Sequence, residues 1–177
     1  RRFLRTWVQT LVPPVITIPL YFVRFGNLIG NRIWQMGGYT YMEFIVPGLI
    51  MMAVINNSYA NVVSSFFSQK YQRSIEELLV SPVPNHVILS GFVLGGVARG
   101  LAIGVIATVI SLFFSGLHMH NLFITLMVVL MSSIVFSLGG FINAIYANKF
   151  DDIAIIPTFV LTPLIYLGGV FYSVELL

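Results

Sequence analysis

Cysteine is absent from the 177 residues, which excludes disulfides and thiolate metal sites. Charge is scarce as well. Lys, Arg, Asp and Glu make up 8% of the chain, against about a quarter in soluble domains, so a surface this poor in charge would aggregate in water. No polar stretch is long enough for a separate soluble domain. The basic residues form no continuous patch, so nucleic acid is not an expected partner. No GxxxxGK[ST] run occurs, and nucleotide phosphates are not expected to be cradled by a P-loop on this chain. No clustered acid, base and nucleophile suggests an enzyme. His118 and His120 stand two apart with no carboxylate beside them, a weak metal signal better explained by solvated loop residues. The chain starts at Arg1 without an initiator methionine and stops after an apolar segment, and it is expected to be a piece of a longer protein.

What is abundant is apolar sequence. Hydrophobic residues account for 58% of the chain and the mean hydropathy is +0.93, so lipid is the solvent expected for most of it. Five windows reach the roughly 20 residues a spanning helix needs. They run from about Val8 to Ile29, Phe44 to Phe66, Val87 to Phe114, Leu122 to Ala147 and Ile153 to Tyr172. Arg24 interrupts the first and Arg99 the third; the others hold no charge. Barrel strands would be short and would alternate apolar with polar residues. Lipid leaves helices as the way to satisfy the backbone. The expected fold is therefore all-α, a polytopic transmembrane helical bundle with five spans in this stretch.

The connecting segments suggest an orientation. Arg1, Arg2, Arg5, Lys70, Arg73 and Lys149 fall on one side, and the other carries Arg32 and histidines. The positive-inside rule puts the N-terminus and the 67–86 loop in the cytoplasm and Leu177 outside. Trp7, Trp34, Tyr39, Tyr41 and Tyr172 lie near span ends, where interfacial aromatics are expected.

Several residues are candidates for function. Ser74-Ile75-Glu76-Glu77 has the spacing of a capping box, with Ser74 and Glu77 expected to bond exposed amides at a helix start. Leu78, Leu79 and Val80 follow, and Pro82 and Pro84 end the element. The result is a short surface helix, either a tight connector or a docking element. Arg99 lies near the middle of its span, where an arginine costs roughly 2.5–3.5 kcal/mol on insertion scales and should face the bundle interior, water or a partner. Pairing with polar neighbours and contact with substrate are both open readings. Arg24 is close enough to a span end to snorkel, with Glu43 as a suggested counter-ion. Asn57, Asn61, Ser64 and Ser65 form a polar stripe on the second span, suited to interhelical hydrogen bonds or to a substrate path. Gly91, Gly95, Gly96, Gly100 and Gly104 recur at four-residue steps, a spacing that lets helices approach closely in lipid. Asp151 and Asp152 are expected to cap the fifth helix. Pro13, Pro14, Pro19, Pro47, Pro157 and Pro163 are expected to kink their spans.

Four stretches carry a resemblance: Tyr41–Leu49 (YMEFIVPGL), Arg73–Pro84 (RSIEELLVSPVP), Phe150–Ile153 (FDDI), and Pro157–Leu164 (PTFVLTPL) continuing to Gly168–Tyr172 (GGVFY). Together they resemble the permease subunits of type-2 ABC transporters, and the likeness extends over essentially the whole chain. The resemblance implies six spans with both ends cytoplasmic, two permeases, expected to be identical copies, and two separate ATPase subunits. It assigns Ser74–Val80 as the coupling helix that docks on the ATPase, with Glu76 and Glu77 as polar contacts. It places ATP and magnesium on the partner, none on this chain, and implies export across the bacterial inner membrane. A structural membrane subunit, or a channel or ion-coupled transporter, is the alternative; the latter would be expected to hold more intramembrane carboxylates.

Overall fold

A computed structural model of the protein describes residues 12, 13, 16, 17, 19–21, 23, 41–112, 121–168 and 170. Most of the first window therefore lies outside the described residues, as do Arg24 of the suggested pair with Glu43, His118 and His120, and the terminal arginines. Within that window the described positions are helical, and the Thr17 hydroxyl donates to the Pro13 carbonyl at 2.7 Å.

The apolar runs fold as helices because lipid offers their amides no partner. Helix α1 spans Tyr41–Tyr71, α2 Ser74–Val80, α3 Asn85–Leu112 and α4 Leu122–Tyr146. A final apolar stretch consists of α5 (Asp152–Ile156), a π-helical turn (Pro157–Leu161) and α6 (Thr162–Leu167). Among the described residues there is no strand. Helices α1, α3 and α4 are each long and apolar enough to cross a membrane. The chain thus has the polytopic helical architecture its hydropathy implies.

Helix α1 continues beyond the Phe66 boundary expected from hydropathy. Its 31 residues measure about 46 Å, against about 30 Å of hydrocarbon, so one end projects from the apolar layer. The projecting end carries Lys70, whose Nζ donates to the carbonyls of Ile145 (2.5 Å) and Ala147 (2.8 Å). Those carbonyls close the C-terminal end of α4, where a cation is favoured by the helix dipole.

Two local expectations need correction. Ser74 does not form a capping box: Arg73 occupies the cap position with φ 58°, in the left-handed region, and no side chain caps the helix. Ser74 is already helical, and its hydroxyl turns back to the Gln69 carbonyl at 3.3 Å. Asp151 likewise makes no side-chain cap. The Asp152 carboxylate instead accepts from the backbone amides of Asn148 and Lys149, both at 2.9 Å. These two bonds hold its carboxyl below its ordinary value, and they tie the turn after α4 to the first residue of α5.

The π turn lies between the two prolines of the fifth window. Pro163 has no N–H for the residue four before it, and its ring crowds that carbonyl in a regular helix; the wider turn just ahead makes room. The Thr162 hydroxyl donates to the Pro157 carbonyl at 2.9 Å, which gives that carbonyl a side-chain partner inside the apolar stretch.

Helix α1 is the centre of the bundle, packed on α3 and α4. Ile45, Val46, Leu49, Ile50 and Val54 form one core with Ala107 of α3. Tyr59 and Val63 meet Leu161 of the π turn. Phe67 packs on Ala144 and Ala147, and its ring lies 4.9 Å from that of Phe150. Lipid tails are as apolar as these side chains, so close packing rather than burial from water drives the helices together. That puts weight on small residues. A Cβ built on Gly96 would stand 2.5 Å from both Ser137 Oγ and Val62 Cγ2 and 3.0 Å from the Ser58 carbonyl. At Gly100 it would collide with the Ser58 hydroxyl, and at Gly104 it would stand 3.0 Å from Val54. Gly91 meets nothing within 4 Å and Gly95 only Asn61 Nδ2 at 3.7 Å. The glycine series therefore divides into three positions pressed against neighbouring helices and two that border open space.

Candidate functional site

The outside of the bundle presents two different chemistries. Along α4 the exposed residues include Ile124, Met127, Met131, Val135, Leu138 and Ile142, all bulky and apolar, as a lipid-facing surface requires. The accessible side of α1 at mid-length is instead Asn57, Ala60, Asn61 and Ser64. Across the groove, α3 offers Gly91, Gly95, Arg99 and Ala102, which share one stripe at helical spacing and are exposed or half-exposed.

Arg99 and Asn61 meet in this groove. Arg99 Nη1 donates to Asn61 Oδ1 at 3.3 Å, and this is the one hydrogen bond formed by the guanidinium among the described residues. Arg99 Nε is buried and has no acceptor. The other stripe residues serve their own helix: Asn57 Nδ2 donates to the Ala53 carbonyl at 2.9 Å, and the Ser64 hydroxyl to the Asn61 carbonyl at 3.2 Å. Of the polar residues singled out from sequence, the structure brings Asn61 and Arg99 together across helices and leaves Asn57 and Ser64 beside them.

Other polar contacts were not legible in the stripe pattern. Ser58, Ser133 and Ser137 are fully buried, and their hydroxyls have no partner; they line the α1–α3–α4 junction opposite Gly96 and Gly100. Asn143, 6% exposed, donates from Nδ2 to Tyr59 Oη at 2.8 Å and to the Ile153 carbonyl at 3.3 Å, joining α1, α4 and α5. The spacing of Ser133 and Ser137, one helical turn apart in a charge-free span, was the available signal for the first cluster. Asn143 had no comparable pattern around it.

At the projecting end of α1, α2 is attached through the left-handed turn at Arg73. Ile75 is buried and anchors it, while Glu76, Glu77, Leu79 and Val80 face outward, the last two 61% and 87% exposed. The bundle also holds an apolar cavity of about 360 Å³ between α1, α4 and the broken helix, lined by Pro47, Met51, Phe136, Leu161 and Leu164 among others. Among the described residues, no group of His, Cys, Asp and Glu gathers where it could hold a metal.

Comparison with known proteins decides the family. A family model described as ABC-2 type transporter matches residues 1–177. The chain belongs to that family. It is 62% identical over 176 residues to the inner membrane transport permease YadH of Escherichia coli K12, covering 99% of this chain and 69% of that protein. The YadH of Shigella flexneri matches to the same extent. Nodulation protein J of Rhizobium leguminosarum bv. viciae is 22% identical over 170 residues, covering 93% of this chain and 62% of that protein. No solved structure matches. As an ABC-2 permease the chain is a multi-pass protein of the inner membrane and a transport subunit, and the groove around Arg99 and the outward side of α2 are surfaces bearing polar groups that packing among the described residues leaves open.

Proposed function

We propose that this ABC-2 permease is the membrane half of an ATP-driven exporter, in which two copies enclose a substrate path and α2 receives the movement of a cytoplasmic ATPase. The observation that carries this reading is the division of the bundle's exterior. Exposed α4 is bulky and apolar, whereas the α1–α3 groove is small, polar and charged inside two helices long and apolar enough to span a membrane. Lipid does not tolerate a half-exposed arginine there without cost, so the groove belongs to a water-filled path or to the second copy. The distribution of basic residues supports a cytoplasmic position for α2, where Leu79 and Val80 would offer apolar contacts and Glu76 and Glu77 polar ones. ATP and magnesium are bound by the partner, and the outward direction follows the family pattern.

Co-purification of the full-length, detergent-solubilised permease with the ATPase encoded beside it tests the reading. The native protein is expected to capture an ATPase active in ATP turnover, and the double variant Glu76→Lys/Glu77→Lys to lose it. Capture unaffected by the substitutions would move the contact away from α2. No capture at all would replace the exporter with a structural subunit or a channel.

A further inference from the structure

Arg99 brings a full positive charge to the middle of α3, and no carboxylate among the described residues pairs with it. The guanidinium bonds one neutral amide oxygen, Asn61 Oδ1, and its buried Nε has no acceptor. The described carboxylates, Glu43, Glu76, Glu77, Asp151 and Asp152, all lie at helix ends or in turns. Glu43 precedes Asn61 on the same helix by 18 residues, about 27 Å along the axis. An arginine kept only to hold two helices together would be expected to have its donors satisfied by carbonyls or by an acid. This one is left with donors to spare beside open space: a Cβ on Gly91 would meet nothing within 4 Å, and one on Gly95 would reach only Asn61 Nδ2 at 3.7 Å. Asn61 Nδ2 adds a second donor directed toward the same groove, with no acceptor among the described residues. Fixed donors and an uncompensated cation, flanked by residues too small to fill the groove, are the chemistry that receives an oxyanion.

From this we infer that the transported molecule carries an anionic group, a phosphate or carboxylate, which Arg99 and Asn61 hold within the α1–α3 groove. The inference rests on the α1–α3 groove being the substrate path. Binding of the anion supplies a counter-charge that the described residues do not place beside Arg99. The same pairing makes the half-exposed arginine less costly in lipid while substrate is present.

The absence of cysteine from these residues makes a direct test simple. Gly95→Cys is introduced into a cysteine-free full-length permease in proteoliposomes of phosphatidylcholine, and its modification by a water-soluble maleimide is timed. The added side chain has ordinary contact distance to its neighbour, so the fold is expected to accept it. The probes are inorganic phosphate, dihexanoyl phosphatidylglycerol and the neutral hexyl glucoside. Labelling is expected to slow by about tenfold with an anionic probe, the scale of one or two charge-assisted hydrogen bonds, and not with hexyl glucoside. Protection is expected to persist in Arg99→Lys and to vanish in Arg99→Gln. Phosphate sufficing alone would identify a small soluble anion; protection by phosphatidylglycerol only would identify an amphiphile. Equal protection by the neutral probe, protection surviving Arg99→Gln, or no protection by either anion would overturn the anionic substrate and leave the path intact. A cysteine at this site that reacts only after unfolding would overturn the path itself, and the inference with it.

Discussion

Replacing Gly96 with alanine is expected to weaken the bundle, and the structure fixes by how much relative to a control. The new methyl would stand 2.5 Å from Val62 Cγ2 and Ser137 Oγ and 3.0 Å from the Ser58 backbone carbonyl. Carbon contacts settle near 3.5–4.0 Å, so α1 and α3 must separate by about 1 Å. Val62 cannot swing away cheaply, because its branched side chain is held to one rotamer in a helix, and the Ser58 carbonyl belongs to the α1 ladder. Overpacking of this kind costs about 1–3 kcal/mol. Against it, alanine gains about 1 kcal/mol of helix propensity over glycine. Gly91→Ala receives the same propensity gain at a position with nothing within 4 Å. The difference between the two variants therefore isolates the packing term, about 1–3 kcal/mol with Gly96→Ala the less stable. Steric trapping of the full-length protein in bicelles measures that difference at equilibrium. Equal stabilities, or Gly91→Ala the weaker, would refute the assignment of Gly96 to the α1–α3 contact.

Three further outcomes follow from the polar contacts. Lys70→Met removes the cation from the last carbonyls of α4 and is expected to cost about 1 kcal/mol, read as faster proteolysis in the 147–152 turn. Asn143→Leu breaks the bonds to Tyr59 and Ile153 and is expected to cost about 1–3 kcal/mol; adding Tyr59→Phe should cost less than the sum of the single changes, which a double-mutant cycle by steric trapping tests. The Asp152 carboxyl is held below its ordinary value of 3.8 by the Asn148 and Lys149 amides. Its contribution to the turn is therefore complete above that value and lost as pH falls through the depressed one. Protection of those two amides, exchange measured relative to the intrinsic rate at each pH, should be constant from neutral pH down to the ordinary carboxyl range and fall below it, and Asp152→Asn should abolish the step.

Long apolar runs were legible because lipid permits one backbone solution: helices Tyr41–Tyr71, Asn85–Leu112 and Leu122–Tyr146 stand where hydropathy placed them. Arg99 was legible as a charge too costly to leave on the lipid side, though its partner was not, since Asn61 is 38 residues away. Ends and turns were less legible. The Ser74–Glu77 spacing fits a capping box only if the serine is extended; the left-handed Arg73 takes the cap position, so Ser74 starts inside the helix. Lys70 counted from sequence as one more cytoplasmic charge, whereas its contact depends on α4 ending beside α1. The buried serines were hidden for a related reason. Asn57 and Asn61 direct attention to one face of α1, while Ser58, one residue along, turns into the junction with α3 and α4.

The π turn at Pro157–Leu161 also affects how related sequences should be compared. It holds one residue more than an α-helical path between the same points would need. Deleting a single residue there would restore regular winding between the same two points, so everything from Thr162 onward would keep its facing to the bundle. A relative lacking one residue in this segment would keep its helix and present the same side of it toward Tyr59 and Val63. A one-residue gap at 157–161 should therefore be interpreted as loss of the wide turn, and residues after it matched by the side they present rather than by their count along the chain.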